Sequence, residues 1–98
     1  MKLIFHKDAK FEFKESINYY HEINAALGLD FIAEVKKSLN QIKAHPTAWI
    51  ILGGNIRRAL VNRFPYSVLY KTNSKQIYII AIMNLHRKPD YWKERLDS

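Results

Sequence analysis

The sequence predicts an α+β fold of order β-α-α-β-β-β: a helical hairpin packed on one face of a mainly antiparallel four-stranded sheet, with a short C-terminal helix or turn. Three observations carry that prediction. Between Ala9 and Ile42 the apolar residues recur at steps of three and four, the period of a helix buried along one stripe. From Ile56 onward they alternate, or run together, in short segments rich in β-branched and aromatic residues. Gly, Pro, Asn and Ser fall between those segments, where turns need them.

Leu3 to His6 reads as a first strand, with Leu3 and Phe5 on one face and Ile4 on the other. Asp8 is placed to N-cap a helix running to about Leu27, with a stripe of Ala9, Phe13, Ile17, Tyr20, Ile23 and Leu27. Phe11 and Tyr19 lie off that stripe. Gly28 can adopt the left-handed conformation of a C-cap. The second helix carries Phe31, Ile32, Val35, Leu39 and Ile42 on one face, leaving Lys36, Lys37 and Lys43 as a solvated surface. Pro46 disfavours helical geometry in the residue before it and stops the run. So tight a connection implies an antiparallel pair.

Thr47 to Asn55 is too apolar for an ordinary connector. Trp49, Ile50, Ile51 and Leu52 precede Gly53-Gly54, and are expected to pack onto the core or cover something. Ile56–Asn62, Tyr66–Lys71 and Gln76–Leu85 read as strands, and Thr72-Asn73-Ser74-Lys75 as the hairpin turn between the last two. The final strand is apolar on both faces (Ile77, Ile79 and Ala81 against Tyr78, Ile80 and Ile82), which places it centrally. Pro89-Asp90 then opens a short helix or turn containing Tyr91, Trp92, Arg95 and Leu96.

Ninety-eight residues suit one domain spanning 1–98, and 48% apolar residues can offset its chain entropy. Sixteen basic residues against nine acidic give a charge of +7, which attracts a polyanion or an acidic protein. The absence of cysteine excludes disulfides and thiolate zinc sites. The N-terminal segment becomes charged within seven residues, and no apolar run approaches the ~18 residues of a membrane span. A cytoplasmic protein without membrane attachment is expected. His6, His21, His45 and His86 show no metal-ligand spacing, and no glycine-rich phosphate loop is present, so neither metal nor cofactor is expected.

Two groups of residues could carry chemistry. Arg57, Arg58 and Arg63 bracket one strand, and Arg87 follows the last. Alternation sends Arg57 and Arg58 to opposite faces, one toward the open face. An arginine fork can grip a phosphate, although solvation or an acidic partner explains any single one. His86, Arg87 and Tyr91 form the second group. Histidine exchanges a proton near neutrality, and a tyrosine can do so when cations lower its pKa. A histidine at a strand end also serves commonly as a hydrogen-bonded structural residue. Trp49, Trp92, Tyr66 and Tyr70 are read as packing groups.

Several phrases resemble one family in order and spacing: Phe31-Ile32-Ala33-Glu34-Val35, His45-Pro46, Arg57-Arg58, Phe64-Pro65-Tyr66 with Tyr70, and Arg87-x-Pro89-x-Tyr91-Trp92-x-x-Arg95. From the first strand to Arg95 the chain resembles the RelE/ParE superfamily of type II toxin–antitoxin toxins. The resemblance implies a cognate acidic antitoxin that wraps the toxin in a hetero-oligomer. It divides over the target. ParE-like members poison DNA gyrase by binding, and the Phe-Pro-Tyr and Tyr-Trp-x-x-Arg phrases favour that branch. RelE-like members cleave mRNA on the ribosome without metal. On that alternative the catalytic role falls on Arg58, Arg63, His86, Arg87 and Tyr91, with Arg57 and Arg58 replacing a lysine pair that this chain lacks. A third alternative is a degenerate toxin kept only as an antitoxin-binding module.

Overall fold

The computed structural model describes residues 1–97. Strand β1 (Lys2–Phe5) leads into helix α1 (Lys7–Ile23) and helix α2 (Ala25–Ala44). Strands β2 (Ile50–Gly53), β3 (Ile56–Leu60), β4 (Tyr66–Thr72) and β5 (Gln76–Asn84) follow, and a 3-10 turn covers Lys93–Asp97. The sheet has five strands in the order β1-β5-β4-β3-β2. β1 runs parallel to β5, with Leu3 opposite Ile77, and the other pairings are antiparallel.

The expected four-stranded sheet is therefore corrected to a mixed, five-stranded one. The additional strand is the apolar connector, for Ile50 and Ile51 pair with Arg58 and Arg57 of β3. Gly54 makes the reversal between them, at a φ of +56° that favours glycine.

The helix boundaries shift as well. His6, not Asp8, caps α1: its Nδ1 accepts the Asp8 backbone N–H at 3.0 Å. Asn24 alone separates the helices. Its extended backbone ends α1, and its side chain accepts the Ala26 N–H at 2.8 Å to start α2. Gly28 is not a C-cap but lies inside α2, buried against α1. A Cβ there would stand 3.0 Å from the Cα and Cβ of His21, so the missing side chain lets the helices approach.

The hairpin covers one face of the sheet. Phe31, Val35 and Ile42 from α2 and Ala9 from α1 meet Val68, Tyr70, Ile77 and Ile79, all fully buried. The Phe31 ring has Phe13, Tyr20, Phe64 and Tyr66 around it at centroid distances of 5.0 to 6.1 Å. Such tilted and edge-on pairs each add about 0.5–1.5 kcal/mol beyond the area they bury. Tyr66 and Tyr70 thus pack as expected. Ile23, at the end of the predicted stripe, remains 61% exposed where the helix stops.

The opposite face carries a smaller core of Ile56, Leu69, Ile80, Ala81 and Met83, closed by Trp92. A β-bulge makes this possible. Leu69 pairs with Ala81 but Tyr70 with Ile79, so Ile80 is an extra residue. Simple alternation put Ala81 with Ile79 and Ile82 with Ile80. The bulge reverses both from that point, sending Ile82 to the helical core and Ile80 and Ala81 together to the outer one.

Candidate functional site

The segment after β5 is folded by its own short-range chemistry. The Asn84 side chain accepts the His86 N–H at 2.8 Å, turning the chain as the strand ends. The Trp92 indole donates to the Pro89 carbonyl at 2.8 Å, and the buried ring lies on the outer core.

What fastens this segment to the domain is Glu12 of α1. Its carboxylate takes both terminal nitrogens of Arg95 at 2.8 Å, a bidentate pair, and accepts the Tyr91 hydroxyl at 2.6 Å. It also accepts the Ile82 backbone N–H at 3.1 Å, while Arg95 donates to the Ile80 carbonyl at 3.0 Å. β1 pairs only with Gln76–Ile79, so on the side away from β4 the strand β5 has no neighbour beyond that point. Glu12 and Arg95 supply hydrogen bonds along that bare stretch. The Glu12 and Arg95 side chains are each only 12% exposed.

Two of the pockets that border the segment share no residue with each other. The first, about 420 Å³, lies against α1 and includes Phe11, Glu12, Glu15, His86, Arg87 and Tyr91. The second, about 640 Å³, lies on the outer face between the β2–β3 hairpin and the C-terminal segment, and includes Arg58, Leu52, Met83 and Trp92.

The expected site residues are accordingly dispersed. His86, Arg87 and Tyr91 meet in the first pocket. The Arg87 guanidinium stacks on the Tyr91 ring at 4.0 Å, and that of Arg95 stands 5.0 Å from the same centroid. The exposed His86 imidazole makes no hydrogen bond among the described residues. Arg58 faces the outer pocket. Its sequence neighbour Arg57 points the other way and holds the carbonyls of Thr47 and Trp49 at 3.0 and 2.7 Å. That settles their expected division between the faces. Arg63 sits apart at a φ of +72°, facing Asp30 and Glu34 of α2 at 3.4 and 3.9 Å.

Tyr91 departs from expectation electrostatically. Two guanidinium groups do lie by its ring, but the phenol is pushed well above its ordinary pKa. Burial is the largest cause, and the hydrogen bond to Glu12 and that carboxylate's charge add to it, outweighing Arg95 and Arg87. At neutral pH the hydroxyl is a fixed donor to Glu12.

Sequence reasoning missed Glu12. It is one acid among several on α1, and nothing local marks it as the anchor of a segment 83 residues away. Arg95 carried a better signal, because it lies four positions beyond Tyr91 in a compact phrase. Among the described residues no group of three or more His, Cys, Asp or Glu could hold a metal ion, and no helix is long and apolar enough to cross a membrane.

Comparison with known proteins places this architecture. A solved structure of the chromosomal ParDE TA system from P. aeruginosa superposes with a TM-score of 0.75 over 88% of this chain and 97% of that one. At 17% identity the likeness is one of fold. No curated protein matches the chain in sequence. The family model described as "ParE toxin of type II toxin-antitoxin system, parDE" matches residues 3–91, from the first strand to the tyrosine held by Glu12. The chain therefore belongs to the ParE toxin family of type II toxin–antitoxin systems.

Proposed function

We propose that this toxin acts in the cytoplasm by contact, binding DNA gyrase and blocking its cycle, and that a cognate acidic antitoxin neutralises it. The supporting observation is the state of Tyr91. Metal-free RNA cleavage needs a group to take the 2′-hydroxyl proton and another to protonate the leaving oxygen. Tyr91 is bound to Glu12 with its pKa raised, and Arg58 lies in a pocket that shares no residue with His86 and Arg87. Glu15 also lines the His86 pocket, and its charge opposes an entering phosphate. Inhibition by binding requires none of that proton chemistry. The exposed Arg87, stacked on a fixed tyrosine, is a rigid contact of the kind that dominates interfaces.

The alternative of ribosome-dependent RNA cleavage draws on one feature, the adjacency of exposed His86 and Arg87 in a pocket. The two readings separate in paired assays. Purified toxin is incubated with gyrase and plasmid, and separately with translating ribosomes and mRNA. The proposal predicts lost supercoiling and intact message, with a His86→Ala, Tyr91→Phe variant retaining much of its potency. Cut mRNA with normal supercoiling would refute it in favour of the alternative.

A further inference from the structure

The contact proposed for Arg87 lies in the first pocket and leaves the outer one without a task. At about 640 Å³ the outer pocket falls within the range of cavities that hold small ligands, and its walls are mainly apolar. Ile56, Met83 and Trp92 make a buried floor, to which Leu52 and Leu96 add. One partly buried cation, Arg58, is set among these groups. Across the sheet it stands in register with Ile50 of β2 and Leu69 of β4, so neither neighbour offers it a negative charge. Its guanidinium finds no acceptor among the described residues, and its Nε is shut off from solvent as well. The other four arginines are each engaged, by carbonyls, carboxylates or a tyrosine ring. A guanidinium held among apolar side chains without an acceptor costs free energy, which a bound anion offsets. Exposed Asp90 and Lys93 also line the pocket, and because their charges cancel, Arg58 sets its sign.

We propose that the outer pocket binds a small amphipathic carboxylate, a single acid group on an apolar tail. Arg58 turns its fork toward the opening to take the carboxylate, and the tail lies on Met83 and Trp92 in place of water. The class of ligand follows from one uncommitted cation in a large apolar wall. Inorganic phosphate would match the guanidinium but leave the floor wet. A multiply charged anion such as a nucleotide would meet Asp90 as well, and would gain nothing from the apolar groups. A neutral hydrophobe would fill the walls and leave Arg58 as it is. A monocarboxylate with an apolar tail satisfies both. Because the β2–β3 hairpin and the C-terminal segment each supply part of the wall, the bound ligand bridges them and stabilises the folded chain. The site goes beyond the gyrase and antitoxin readings and rests on neither.

The test uses the intact chain with octanoate as the probe, and octanamide, acetate and inorganic phosphate as matched controls. Calorimetric titration should show octanoate binding about tenfold or more tighter than octanamide, with acetate and phosphate weaker still. Arg58→Gln should bring octanoate down to the octanamide level, whereas Lys36→Gln, which deletes an exposed charge elsewhere, should leave the preference intact. Amide and indole N–H shifts on the unaltered chain give the answer should Arg58→Gln misfold, because octanoate should move residues 52–58 and the Trp92 indole. Equal binding of octanoate and octanamide would overturn the proposal, as would no binding of octanoate. So would a preference that survives Arg58→Gln, displacement of octanoate by an equal concentration of phosphate, or shifts centred on α1. None of these readouts involves gyrase, so failure here leaves the target reading standing, and an unaffected gyrase leaves the pocket.

Discussion

Replacing Glu12 by Ala should be the most damaging single change to the fold of this toxin outside its apolar core. The carboxylate accepts four donors: two from Arg95, one from Tyr91 and one from the Ile82 backbone. Counting each at the ~1.5–3 kcal/mol of a charge-assisted bond would exceed about 6 kcal/mol, but bonds that share one acceptor are not additive. The better measure is the ~3–5 kcal/mol lost when one member of a buried ion pair is removed and the other stays charged. Glu12 and Arg95 each keep 12% exposure, which admits some solvent screening and selects the low end, about 3 kcal/mol. For a chain this size that corresponds to a melting temperature lower by roughly 12–24 °C. Urea titration followed by tryptophan fluorescence should show the midpoint falling with its slope unchanged. A Glu12→Met, Arg95→Met pair should recover at least about half of the loss, because no charge is then left unpaired. A loss below about 1 kcal/mol, or a double variant as unstable as the two singles added, would refute the argument and demote the pair to a screened surface contact.

Other consequences can be checked separately. Gly28→Ala should destabilise by about 1 kcal/mol, since overpacking against His21 outweighs the ~1 kcal/mol alanine gains in helix propensity; calorimetry reads the sign. Arg87→Ala should shift stability by less than about 0.5 kcal/mol yet abolish growth arrest, whereas Arg57→Ala, which frees the carbonyls of Thr47 and Trp49, should cost about 1–3 kcal/mol. Tyr70 donates to the Pro46 carbonyl at 2.7 Å, and burial, opposed by Arg57, raises its pKa to about 12. A folded-state pKa above the unfolded value of 10.0 means full stability below pH 10, lost as pH climbs toward 12 at about 1.4 kcal/mol per unit. Tyrosinate absorbance should therefore leave Tyr70 and Tyr91 silent until the chain unfolds, and Tyr70→Phe should flatten the alkaline decline.

Periodicity recovered the two helices, the strands β3 to β5 and the packing of Tyr66 and Tyr70, because each follows from local burial. It recovered the split of Arg57 and Arg58 for the same reason. Most of what it missed depends on neighbours far along the chain. The pattern Ile50-Ile51-Leu52 has no alternation, since β2 is an edge strand exposed on both faces, so it could not be told from a packed connector. Parallel pairing of β1 with β5 leaves no mark in either segment, and one inserted residue at Ile80 reverses the faces of all that follow. Asp8 was the better capping residue by propensity, yet the imidazole of His6 already stood where the Asp8 N–H could use it. The His86, Arg87 and Tyr91 group was legible as a neighbourhood. The state of Tyr91 was not, because Glu12 and burial set it from outside that stretch.

The parallel strand β1 also bears on the order in which the molecule can be made. Leu3 finds its place only beside Ile77, and Glu12 meets the Ile82 backbone across 70 residues. During synthesis the helical hairpin emerges early and can form from local contacts, but its apolar face then waits for the sheet. Until β4 and β5 have left the ribosome, that face lacks Val68, Tyr70, Ile77 and Ile79, and β1 has no strand to join. A growing chain of this toxin therefore passes through a sticky, incomplete stage. An antitoxin already present at that stage meets the chain before its sheet is complete.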